Sequence, residues 1–149
     1  MNNEMKIEFD AISVNEGFAR LAVAAFVSTM NPTMDELSDI KTAVSEAVTN
    51  AIIHGYENMS GYGKHGDVIP AYETIHQGKV YMHCEIKKDT IYINIQDKGK
   101  GMADVEKAME PLYTTGGEER SGLGFSVMES FTDKLRVKSA LDKGTTVTM

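Results

Sequence analysis

The sequence predicts an α+β fold: a two-layer sandwich whose mixed, antiparallel-rich sheet carries its helices on one face. Three observations predict it. Two stretches with apolar residues at helical spacing come early, two alternating runs joined by a short polar turn occupy the middle, and two more short alternating runs close the chain. The order is strand, two helices, two strands, a polar glycine-containing segment, a helix and two strands. It suits an antiparallel sheet covered on one side. A length of 149 residues suits one domain spanning 1–149, with no internal repeat.

Composition narrows the function classes. Apolar content of 42% with 25% charged residues is that of a globular chain rather than a disordered one. A formal net charge of -7 opposes nonspecific binding to nucleic acid or to an anionic membrane. It leaves open a phosphate-bearing small ligand, because local dipoles and a metal can outweigh net charge. Cys84 is the sole cysteine, so no disulfide can form within the chain, and its alternating apolar context predicts a buried, inert thiol. No run has the apolar length of a membrane span or a signal-peptide core, which makes the cytoplasm the expected compartment.

Met5 to Phe9 alternates and predicts a strand. Ser13 with Glu16 has the capping-box spacing and predicts a helix from about Val14 to Met30, with apolar positions Phe18, Leu21, Ala22, Ala25 and Phe26. Arg20 falls on its more exposed side. Asn31-Pro32 ends this helix, and Thr33 with Glu36 opens a second one, predicted to run to His54 with Gly55 as its stop. Residues 56–79 read as a long loop, with a marginal strand near Val68 to Ile75 and with His65 and His76 at the surface. Val80 to Lys87 and Ile91 to Gln96 alternate about a turn at Lys88-Asp89-Thr90, predicting a hairpin. Beyond it, helical pieces are expected near Asp104 to Met109 and Phe125 to Thr132. The closing strands are expected over Lys134 to Ser139 and Thr145 to Met149.

The candidate chemistry sits on the second helix. Ile40, Val44, Ala47, Val48 and Ala51 make its apolar stripe, and Glu46, Asn50 and His54 line one edge of that stripe at i, i+4 and i+8. A carboxylate and an amide at the margin of a buried face need partners. Either neighbouring backbone groups or a metal-bearing ligand would supply them. Asp97 ends a predicted strand and is followed by Gly99 and Gly101. Its carboxylate can accept from an exocyclic amine such as that of adenine, and the glycines let backbone approach a flat ring. Ordinary turn chemistry would also place Asp and Gly there. Gly122-Leu123-Gly124 precedes a predicted helix, where backbone N–H groups attract phosphate. The chain has neither a Walker-type sequence nor a dinucleotide fingerprint.

Taken in order, Glu46-x-x-x-Asn50, Asp97-x-Gly99-x-Gly101, Gly122-x-Gly124 and Gly144-Thr145-Thr146-Val147 resemble the GHKL (Bergerat) ATP-binding superfamily. The resemblance spans essentially the whole chain. A Glu four residues before the Asn distinguishes enzymes that activate a hydroxyl or water from histidine kinases, whose neutral histidine needs no general base. The stretch from Met34 to Tyr56, with Pro111 to Thr115 and Arg120 to Phe125, is similar to the sporulation branch of the anti-sigma serine kinases.

That resemblance implies a homodimer that holds a sporulation sigma factor inactive and phosphorylates a serine of an anti-anti-sigma protein. It implies ATP/ADP and Mg²⁺ as ligands, and neither nucleic acid nor membrane as a direct partner. Carried over, Asn50 ligates Mg²⁺, Glu46 accepts the serine proton, and Asp97 reads the adenine amine, with Gly99, Gly101 and Thr145 beside the ring. A lid over 102–124 closes on the phosphates through Gly122 and Gly124, and Arg120 steadies the transferring group. Arg20 meets protein partners. The plainer alternatives are a solvated charge for Arg20 and Arg120, and a capped helix end for His54. Residues 59–77 exceed the connection this resemblance implies, and Met149 falls early in its final strand; an insertion or a long disordered loop, and a trimmed end or a short last strand, are the corresponding expectations. Two other functions compete: a nucleotide-gated sigma-binding module with little catalysis, and a related kinase of a stress pathway.

Overall fold

The computed structural model describes residues 1–55, 78–99, 128, 131–140 and 144–149. The expected 59–77 insertion, the helical piece at 104–109, the whole 102–124 lid segment with Arg120, Gly122 and Gly124, and Gly101 lie outside them.

Strand β1 (Asn2–Asp10) leads to α1 (Asn15–Val27), a 3-10 turn (Ser28–Met30), α2 (Met34–Asn50) and a π-helical turn (Ala51–Gly55). Strands β2 (Lys79–Lys87), β3 (Thr90–Asp97), β4 (Arg136–Ala140) and β5 (Gly144–Thr148) follow. The described strands form one five-stranded sheet in the order β1-β2-β3-β5-β4. Every pairing in it is antiparallel.

Alternation decides the layers. On β2, Val80, Met82, Cys84 and Ile86 are buried, while the intervening Tyr81, His83 and Glu85 face the other way. On β3 the buried set is Ile93, Ile95 and Asp97. This apolar face meets Ala19, Val23 and Val27 of α1 and Val44, Ala47 and Val48 of α2 in one core cluster. Burying each of the larger side chains, such as Met82 or Ile95, stabilises the fold by about 1.5–3 kcal/mol. The outer face is polar: Lys79 pairs with Asp10 and Lys87 with Glu85 at 3.3 Å, and His83 Nε2 lies 3.0 Å from Glu4 Oε2.

Both helices start near their expected positions, by different means. Thr33 and Glu36 form a true capping box: the Glu36 N–H donates to Thr33 Oγ1 (3.1 Å) and the Thr33 N–H donates to Glu36 Oε2 (2.8 Å). Ser13 and Glu16 do not. The N-cap of α1 is Val14, with no side-chain capping bond, and the Glu16 carboxylate turns instead to Arg20 at 3.5 Å. Asn15 ties the helix start to β1, its Nδ2 donating to the Asp10 carbonyl at 2.8 Å. Asn31 then adopts the left-handed conformation (φ 52°) that ends the first helical unit before Pro32.

The buried side of α1 also differs from expectation. Ala19, Val23 and Val27 face the core, while Phe18, Leu21 and Ala25 are exposed. Ala22 and Phe26 of the expected apolar set are half-buried and pack against the core cluster. At the other end of α2 the backbone passes Asn50 without stopping and widens into the π-helical turn. Of the helix expected over 125–132, Met128 is helical and fully buried, and Thr132 Oγ1 donates to its carbonyl at 2.7 Å. Among the described residues no helix is long and apolar enough to cross a membrane.

Candidate functional site

Asp97 is the one buried charged residue on the core face of the described sheet, 4% exposed in a register where apolar side chains belong. It closes β3, opposite Val80 on one side and Thr145 on the other. Its Oδ1 accepts the Gly99 N–H at 3.0 Å, and the Thr145 backbone N–H also donates to it. Burial pushes the carboxyl up to about 6, against the opposing pull of those two N–H groups. Two donors leave part of a carboxylate's acceptor capacity unused. An amine entering from the helix side would meet that capacity and favour the ionised form. This is the chemistry expected of an adenine-reading group.

Thr145 is held in turn by its cross-strand neighbour: its hydroxyl and that of Ser139 are 2.8 Å apart. Asp97, Gly99 and Thr145 therefore form one cluster at the end of β3. Lys98, between Asp97 and Gly99, swings away so that its Nζ lies 4.6 Å over the Tyr81 ring on the outer face.

Glu46 and Asn50 lie on consecutive turns of α2, half-buried at the edge of the stripe formed by Val44, Ala47, Val48 and Ala51. Directly after Asn50 the π-helical turn packs on β3 and β5, the strands that carry Asp97 and Thr145. A π-turn inserts an extra residue into the helical ladder, and such turns recur at functional sites. His54 belongs to this turn. A lone amide at such a helix edge fits the habit of Mg²⁺, which keeps its waters and takes few protein ligands alongside phosphate oxygens.

Glu46 also faces α1. A groove of about 420 Å³ between the helices is lined by Gly17, Arg20, Leu21, Lys41, Ser45 and Glu46, among others. Arg20 and Glu46 thus share one wall system, a juxtaposition that spacing along the chain could not reveal. Ser45 Oγ is buried with no hydrogen-bond partner among the described residues, so a hydroxyl beside Glu46 keeps donor and acceptor capacity.

A buried acceptor at a strand end and an amide–carboxylate pair on the covering helix define a nucleotide-binding α+β sandwich. Comparison with known proteins agrees. The histidine kinase-like ATPase domain family matches residues 9–149. The chain is 50% identical over 148 residues to an anti-sigma F factor of Bacillus licheniformis, covering 99% of this chain and 90% of that protein. It is likewise 50% identical over 150 residues to an anti-sigma F factor of Oceanobacillus iheyensis, covering 100% and 92%. A crystal structure of the RsbU and RsbW domains of a Mycobacterium tuberculosis protein shares the fold at a TM-score of 0.58 and 16% identity, over 99% of this chain and 31% of that one. The chain belongs to the histidine kinase-like ATPase domain family and, within it, to the anti-sigma F factors.

Proposed function

We propose that this chain is a cytoplasmic anti-sigma factor of sporulation that binds a sigma-F-like factor and also acts as a protein serine kinase on its anti-anti-sigma partner. Mg²⁺-ATP is its phosphoryl donor and a homodimer its working form. The observation that carries the kinase reading is Glu46, a half-buried carboxylate one helical turn before Asn50, on the open groove between α1 and α2. The names of the relatives support the sigma-factor partner.

In this reading Asp97 accepts the adenine amine while Gly99 and Thr145 hold the carboxylate in place. Asn50 offers its amide oxygen to Mg²⁺, which neutralises charge on the phosphates. The serine Oγ attacks the γ-phosphorus, its proton passes to the Glu46 carboxylate, and the bond from phosphorus to the β–γ bridging oxygen breaks with its electron pair leaving on ADP. Arg20 faces the incoming protein from the opposite wall of the groove. Arg120 steadies the transferring phosphoryl group, and Gly101, Gly122 and Gly124 give backbone access to the nucleotide; these assignments rest on the sequence motifs.

The test is phosphotransfer from labelled ATP to a panel of candidate anti-anti-sigma proteins, with Mg²⁺ and with Mg²⁺ removed by chelation. Phosphoserine on one panel member supports the kinase. Nucleotide binding and sigma-factor capture with no transfer to any member would leave a nucleotide-gated binding module in its place.

A further inference from the structure

Antiparallel register places Val80, Asp97, Thr145 and Ser139 in a single row across β2, β3, β5 and β4. The next row is Met82, Ile95, Val147 and Val137, all apolar and packed in or against the core. Residues two apart on a strand share a face, so Asp97, Thr145 and Ser139 lie on the helix-covered side as well. A carboxylate and two half-buried hydroxyls in line beside an apolar row are costly unless they bond something. Ser139 stands two strands from Asp97, roughly 10 Å away by strand spacing, and cannot serve its carboxylate directly.

What Ser139 does touch is Thr145, with the two Oγ atoms 2.8 Å apart. At that distance one O–H points at the other oxygen, and the neighbouring charge decides which. Thr145 is directly opposite Asp97, and facing side chains of such a pair are roughly 5 Å apart at Cβ. The Asp97 carboxylate attracts a nearby hydroxyl proton, so its field turns the Thr145 O–H toward the Asp97 end of the row. Ser139 then donates to the Thr145 oxygen from behind. A hydroxyl that accepts in this way is also the stronger donor, because hydrogen bonds in a chain polarise one another. The edge of adenine that offers its amine to Asp97 carries, next to that amine, a ring nitrogen that can only accept. A fixed O–H beside a carboxylate complements that edge. Guanine and hypoxanthine present the reverse pair, a carbonyl oxygen and an N–H.

We propose that Ser139 is a positioning residue for base recognition: it donates to Thr145 Oγ1 and so holds Thr145 as the donor to the adenine ring nitrogen beside the amine. The proposal rests on the adenine-reading role of Asp97 given above, and adds to it a donor oriented by the neighbouring strand.

Calorimetric titration of the full chain with Mg²⁺ and a set of triphosphates tests it. The set is ATP, 1-deaza-ATP, which keeps the amine and lacks the ring nitrogen, and purine riboside triphosphate, which keeps the nitrogen and lacks the amine. The parent is expected to prefer ATP to each by roughly tenfold. Ser139→Ala leaves the Thr145 hydroxyl free to rotate, and its preference for ATP over 1-deaza-ATP is expected to shrink by about threefold. Its preference over purine riboside triphosphate, which reports Asp97, should stay that of the parent. Ser139→Thr restores a hydroxyl and should recover the parent ratio, whereas a merely structural role would weaken all the ligands alike. If Ser139→Ala fails to fold, Ser139→Cys, whose thiol is a weak donor, carries the same comparison. An unchanged 1-deaza-ATP ratio overturns the proposal and leaves Asp97 its role. So does a larger ratio, which would mean that Thr145 donates to Ser139. Equal affinity of the parent for ATP and purine riboside triphosphate would remove the Asp97 reading itself, and this proposal with it.

Discussion

The two helices lie side by side over the same sheet, yet their free sides are built for different tasks. The outward side of α2 is polar, with Ser38, Lys41, Thr42 and Glu46 along the groove and a capping box fixing its start. That of α1 is an apolar row, and its start is held by Asn15 bonding to the Asp10 carbonyl rather than by a capping side chain. A helix that presents chemistry must hold its carboxylate and amide in register with the strand beneath. A helix that presents a packing surface needs only a straight row of side chains. The contrast sets a polar helix side against an apolar one.

The sharpest way to break that division is at Glu46. Glu46→Gln keeps shape and removes the base, so phosphotransfer is expected to fall by about 10²–10⁴-fold while nucleotide binding persists. Equal transfer by the variant in a single-turnover assay would move the base elsewhere. Next in size is Asp97→Asn. One amide oxygen cannot serve Gly99, Thr145 and adenine together, so ATP affinity measured by calorimetry is expected to drop by roughly 10–100-fold.

Asp97 also sets a pH dependence whose sign follows from its burial. Its carboxyl titrates near 6 when folded against 3.8 as the ordinary value, so between those pH values the folded chain holds a proton that the unfolded chain has released. Its contribution to the stability of the nucleotide-free protein is therefore lost as pH rises through that window, by an amount on the order of 3 kcal/mol. Nucleotide binding runs the other way and weakens as pH falls through about 6, because the carboxylate is the better acceptor. Chemical denaturation and binding isotherms at pH 5 and 7.5 check both, and Asp97→Asn should flatten each difference.

The smallest effects test the helix starts. Thr33→Ala removes a made capping box and is expected to cost about 1 kcal/mol, whereas Ser13→Ala should change stability by less than about 0.5 kcal/mol. Equal losses in urea titrations would mean that Ser13 caps α1 after all.

The same contrast shows what was legible beforehand. Alternation over Val80 to Lys87 and over Ile91 to Gln96 gave the hairpin directly, because a sheet with one polar face leaves no choice of register. Asp97 at a strand end was legible from the alternation before it and the glycines after it, but its burial was not, because turn chemistry also places Asp and Gly after a strand. The capping signatures were not equivalent: Thr33 and Ser13 have identical spacing to a Glu, but Glu16 also has Arg20 one turn on in the same helix, an i,i+4 pair that engages its carboxylate. Phe18 and Leu21 read as core because hydrophobic spacing identifies a face without saying which neighbour covers it. Arg20 and Glu46 belong to different helices, so their shared groove follows from helix packing rather than from any run of sequence.

Cys84 has no part in the chemistry, but its position has a practical consequence. The chain's single thiol lies fully buried on β2, paired on both sides, and burial pushes it up to about 12. A thiolate reagent in neutral solution finds nothing to attack until the middle of the sheet opens. The labelling rate of the unmodified protein therefore clocks that opening, and bound nucleotide or a bound partner would slow the clock by as much as it stabilises the sheet.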